Sequence, residues 1–123
     1  MNSNEMTLYV LGTSYKVCRR NYDELSLFKK QSIDGYCDDV KKIICICNLK
    51  THPGYEDETE EYCLKVEKLV LRHEIIHAFL SESGLQTSTL QMDGGWAKNE
   101  EMVDWIALQF PKILKAIQTV EAL

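Results

Sequence analysis

The sequence predicts an α+β fold: a small sheet of three to four strands packed on a long helix, with a second long helix at the C-terminal end. Three observations carry this. The first half is rich in β-branched and aromatic residues punctuated by turn signals. From about Asp57 to Ser83, apolar residues recur at steps of three and four. A second helical pattern follows from about Lys98 to Val120. The chain has 123 residues, the size of one domain, so residues 1–123 are read as a single unit.

Each element follows in turn. Residues 7–18, TLYVLGTSYKVC, read as one strand, or as two strands broken near Gly12. Residues 23–31 form a short helix or a loop. Residues 33–37 and 42–47 read as the two arms of a hairpin, with Asp38 and Asp39 near its turn. LKTHPGYEDE is a loop marked by Pro53 and Gly54. The long helix begins among acidic residues, which suit the positive end of its dipole, and stops at Gly84. Tyr62, Val66, Leu69, His73, Ile76, His77 and Leu80 share one face, expected to point inward. Residues 85–97 connect to the last helix, with Gly94-Gly95 as a flexible point. Pro111 is expected to kink or split that helix. Trp96 and Trp105 are expected to pack it onto the sheet and the first helix.

Composition excludes several classes. The formal net charge is −5, against the basic face of a nucleic-acid binder. The longest charge run, YEDETEEY at 55–62, is acidic and reads as solvated. No apolar run approaches a membrane span. The first residues lack the basic-then-apolar pattern of an export signal. The five cysteines form no CxxC pair, so reduced thiols in a cytoplasmic protein are the expectation. Cys45 and Cys47 alternate on a strand and read as core residues.

Two of the three histidines lie in one short stretch, His73-Glu74-Ile75-Ile76-His77. Residues four apart lie one above the other on a helix, so both imidazoles can reach one cation. Glu74 can take a proton from a water beside that cation. H-E-x-x-H on a helix thus supplies two zinc ligands and a general base. A third ligand must come from elsewhere. The downstream helix opens with KNEEMVD, where Glu100 and Asp104 are again four apart. If the two helices pack together, Glu100 can complete a His₂Glu set, and Asp104 can hydrogen-bond the other nitrogen of a ligand histidine. Glu101, about 100° further round the helix, is the alternative third ligand, and Asp93 comes after it. Such a set favours zinc over other divalent ions.

HEIIH followed by NEEMVD resembles the gluzincin class of zinc metallopeptidases. In that class a second helix carries N-E-x-x-x-D, and Asn99, Glu100 and Asp104 match it position by position. The resemblance implies Glu100 as third ligand, Asp104 in support of His73, Asn99 as a further supporting residue, and a zincin-like fold. The chain also resembles the cytosolic ImmA/IrrE family of bacterial and phage metallopeptidases, whose downstream helix aligns loosely with Glu100, Val103, Asp104, Ile106 and Ala107. It departs from that family at Ile76, where a small residue is usual, and it shows no DNA-binding or sensory domain.

The implied function is zinc-dependent hydrolysis of a peptide bond, with a protein or peptide as substrate. The developing oxyanion usually needs a second donor. His52 and Tyr55 are the leading candidates, with Tyr36 and Tyr62 behind them. Residues 42–48 read either as an edge strand, which could hold an extended peptide, or as a plain core strand. The rival reading is a catalytically silent binding protein or a phage accessory protein. A closed structural metal site is a third. It would need a fourth ligand, such as Asp93 or a cysteine; Cys63, roughly 15 Å from His73 along the helix, lies too far away.

Overall fold

The computed structural model describes residues 5–85 and 99–123. Strand β1 (Glu5–Val10) runs antiparallel to β2 (Thr13–Asn21), Val10 facing Thr13 across the turn. Leu11 and Gly12 turn the chain with φ of 49° and 86°. Two positive φ values in succession match the right-handed twist of a two-residue hairpin, so the segment is two strands broken at Gly12. A single 3₁₀ turn, Tyr22–Glu24, leads to the short helix α1 (Ser26–Lys30).

Strands β3 (Gly35–Asp38) and β4 (Ile43–Asn48) form the second hairpin. Asp38 stabilises its turn by accepting from the backbone N–H groups of Val40 and Lys41 at 3.1 and 2.9 Å. β4 also pairs with β2, in parallel, giving a mixed sheet of order β1-β2-β4-β3. Residues 42–48 are therefore not an edge, as the sequence suggested. β4 is central, apolar on both faces in the manner of a strand covered twice, and among the described residues the edge strand beside the long helix is β3.

Helix α2 (Glu60–Glu82) starts where the Thr59 hydroxyl accepts from Tyr62 N–H at 3.1 Å, with Glu60 and Glu61 in its first turn. It ends at Gly84, whose φ of 85° only glycine adopts freely. Its inner stripe differs from the one read in the sequence. Cys63, Glu67, Glu74 and Ala78 are the buried positions, while Tyr62 is exposed. The helix is turned by about one residue from the apolar stripe, so that two carboxylates are buried. Glu67 takes Arg19 Nε and Nη2 at 2.6 and 3.1 Å and also accepts from Leu49 N–H at 3.1 Å. That group ties α2 to β2 and to the end of β4.

Two core clusters follow from the alternation of the strands. Val10, Tyr15, Val17 and Ile44 meet Ala78, Leu71 and Ile75 of α2. Cys18, Cys45 and Cys47 point the other way, under Phe28 of α1, and the cluster continues through Leu49 to Cys63. All five cysteines are free thiols. The last helix, α3 (Glu100–Thr119), packs chiefly on α2 and runs through Pro111 without a break in helical assignment. Trp105 on α3 is 58 % exposed, so it does not pack the helix onto the sheet. Trp96, the Gly94-Gly95 pair and Asp93 lie outside the described residues. No helix among the described residues is long and apolar enough to cross a membrane.

Candidate metal centre

Helix periodicity places His73 and His77 one above the other on α2, with rings 4.7 Å apart between centroids. α3 brings the acidic partners. The Asn99 side chain accepts from Met102 N–H at 3.0 Å and caps the helix, which fixes where Glu100 begins its first turn. The sequence expectation had Asn99 supporting the site; its observed contact is this cap, one residue from Glu100. The two helices run in opposite directions. Glu100 meets His77 and His73, Asp104 meets His73, and the Ala107 carbonyl accepts from Arg72 Nε at 2.7 Å.

Three side chains converge. His73 Nε2 and His77 Nε2 are 3.1 Å apart. Glu100 places Oε2 3.0 Å from His73 Nε2 and Oε1 3.0 Å from His77 Nε2. A tetrahedral zinc with bonds of about 2.05 Å separates its ligand atoms by about 3.3 Å, so these spacings are close to those zinc requires. The tautomer agrees. His73 Nδ1 is 2.7 Å from Asp104 Oδ1, and only a protonated nitrogen can make that contact. In the neutral ring, Nε2 then presents a lone pair. A lone pair facing a carboxylate at 3.0 Å is repulsive unless a cation or a proton lies between them.

Burial sets the electrostatics. It lowers the His77 pKa below the usual 6.5, against an opposing pull from Glu100, so the ring favours its neutral, ligating form. Glu74 is 6 % exposed. Its desolvation outweighs the attraction of His73 and, with Glu100 and Asp104 adding repulsion, raises its pKa to about 7. A carboxyl group with that value both accepts and returns protons near neutrality. A carboxylate oxygen of Glu74 lies within 4.8 Å of a ring nitrogen of each histidine.

The centre opens into a cleft of about 520 Å³ whose lining includes Gln31, Ile33, Cys37 and Asp39. β3 forms one wall. Asp34 O accepts from Cys47 N–H at 2.8 Å, which makes Asp34 and Cys47 a hydrogen-bonded pair. By the alternation of an antiparallel ladder, the main-chain groups of Tyr36 and Asp38 face β4, and those of Gly35 and Cys37 face outward. The cleft therefore has a strand edge along its side whose outward ladder positions have no strand partner among the described residues.

The structure brings together His73, Glu74, His77, Glu100 and Asp104. The two imidazoles pair with Glu100 and not with Glu101. It does not bring the expected oxyanion donors to the centre. His52 Nδ1 accepts from Gly54 N–H at 2.8 Å, and its ring is packed between Tyr22 and Tyr55. Tyr55 donates to Asp34 at 3.4 Å. Neither residue lines the cleft. Tyr62 is on the exposed side of α2; Tyr36 borders the cleft, while its ring packs with the cysteine cluster on the far face of the sheet. Sequence reasoning missed Gly35, Cys37 and Asp39. Of these, Gly35 carried a signal, as a lone glycine in a strand pattern marks a close approach. No family model, no curated protein and no solved structure matches the chain.

Proposed function

We propose that this protein is a zinc-dependent peptidase of zincin-like architecture, with His73, His77 and Glu100 as metal ligands and Glu74 as general base. The observation that carries the reading is the convergence of three side chains: two imidazole Nε2 atoms 3.1 Å apart, each 3.0 Å from one oxygen of the Glu100 carboxylate, with Asp104 fixing the His73 tautomer. A zinc ion held there supplies a Lewis acid that activates water and polarises a carbonyl. Asp104 holds the His73 ring in register and raises its basicity. Glu74 takes a proton from the attacking water as the C–O bond forms, and returns it to the amine nitrogen as the C–N bond breaks. The surroundings of Glu74 keep bulk water from that exchange.

The open edge of β3 supports a peptide as substrate. An extended chain laid beside it would pair with the outward main-chain groups of Gly35 and Cys37, and that pairing reads backbone rather than side chain.

Elemental analysis of protein purified without added metal tests the centre. The expectation is one zinc per chain in the parent and in Glu101→Ala, and loss of it in Glu100→Ala. Digestion of a peptide mixture by the zinc-loaded parent, read by mass spectrometry against Glu74→Gln, tests the chemistry. Zinc without cleavage would favour the silent binding protein, and no zinc at saturation would remove the metal reading altogether.

A further inference from the structure

Pro111 removes a donor from the middle of α3. It has no N–H, so the Ala107 carbonyl, four residues earlier, lacks the partner a helix normally gives it. Arg72 of α2 supplies the missing donor, its Nε 2.7 Å from that oxygen. The bond fixes the guanidinium at one place on the α2–α3 seam. Among the described residues, no acceptor meets the remaining N–H groups of its fork.

Arg72 lines a groove of about 470 Å³ whose other walls are isoleucine, leucine and phenylalanine side chains alone. None of these residues lines the metal cleft. The size falls among small-molecule sites, about 300–1,000 Å³, which are mostly apolar with a few polar groups that fix orientation. From Arg72 to Leu80, α2 carries the groove for about 12 Å. Phe79 and Phe110 on its walls remain 41 % and 47 % exposed.

The chemistry of the lining selects the occupant. Both helix backbones are satisfied internally, and Arg72 is the one polar side chain in the lining. An extended peptide laid there would bury main-chain amides without partners, which is costly. A hydrocarbon chain has none to bury. The free end of the Arg72 fork, Nη1 and Nη2, suits the two oxygens of a carboxylate. We propose that this groove binds a free long-chain fatty acid, its carboxylate on Arg72 and its hydrocarbon chain along Ile76, Phe79, Leu80 and Ile106. The site stands apart from the peptidase reading, and its test needs no metal.

Titration calorimetry of the full chain with sodium dodecanoate, kept below its critical micelle concentration, is that test. One dodecanoate should bind per chain, at least about tenfold more tightly than dodecanol, the factor expected of hydrogen bonds to a charged group. Ile106→Trp fills the groove and should abolish binding of both. Arg72→Met would also leave the Ala107 carbonyl unpaired, so it is made together with Pro111→Ala, which restores the helical donor. Compared with Pro111→Ala alone, the double variant should lose its preference for the acid and hold dodecanoate no better than dodecanol. Equal affinity for acid and alcohol in the parent, the absence of saturable binding, or binding that survives Ile106→Trp would each overturn the inference. So would a chain that sediments as a dimer and becomes a monomer in Ile106→Trp, since the groove would then hold a second copy.

Discussion

Gly35 sits where β3 comes closest to the site helix. A Cβ at this position would lie 2.6 Å from Val70 Cγ1, 3.1 Å from the Cys45 carbonyl oxygen and 3.4 Å from Ile46 Cγ2. Carbon atoms pack best at about 3.5–4.0 Å, so the first contact is short by about 1 Å. The second neighbour is backbone of the central strand. Val70 is β-branched and on a helix, where its χ1 has essentially one setting. Relief must come from moving the edge strand outward. Gly35→Ala should therefore lower stability by about 1–3 kcal/mol, the usual range for overpacking. Urea denaturation at unchanged m-value is the assay. The diagnostic is a double-mutant cycle: Val70→Ala removes the clashing methyl, so the pair should be more stable than the sum of single effects by at least about 1 kcal/mol. Parent-like stability of Gly35→Ala, or additivity within about 0.5 kcal/mol, would refute the argument.

Asp104→Ala should weaken zinc binding about 10–100-fold in competition with a chelating dye, since its role is to orient His73; an unchanged affinity would separate the 2.7 Å contact from any function. Glu67→Ala should cost about 3 kcal/mol in denaturant unfolding, because it strands Arg19 and the Leu49 N–H, and a loss below about 1 kcal/mol would contradict the ion pair as drawn. Glu82 is held from its usual 4.5 down to about 2, chiefly by hydrogen bonds from Lys42, Tyr15 and Thr13. A folded-state value below the unfolded one means that its contribution is present above pH 4.5 and is lost as pH falls toward about 2. The stability gap between the parent and Glu82→Gln should close across that window; a gap independent of pH would refute the assignment.

The local parts of this fold were legible. Gly12, Asp38 and Gly84 marked their turns and cap because each answers to backbone geometry within a few residues. HEIIH gave the site helix, and the four-residue spacing of Glu100 and Asp104 gave the partner helix, since both spacings are set by one helical pitch. The parallel pairing of β2 with β4 was not legible, because it joins residues far apart in sequence and leaves no mark in either strand beyond apolarity. The edge strand was misplaced for that reason. The inner face of α2 was misread because periodicity counts apolar residues, and the buried positions include Glu67 and Glu74. Glu67 is buried against Arg19, and Glu74 is buried beside the histidine pair. His52 and Tyr55 were chosen by chemical type, and only tertiary contacts show them packed around Asp34.

Helix α3 has α2 as its chief neighbour, yet it supplies two of the side chains at the centre. A helix seated on one surface opens more readily than the strands beneath it. Each opening would withdraw Glu100 and Asp104 at once and leave a bare histidine pair. An ion bound across the two helices, as proposed, would act as a rivet. Its apparent affinity would be the intrinsic one reduced by the fraction of time α3 is seated, so a substitution anywhere along the α2–α3 seam would change metal occupancy without touching a proposed ligand.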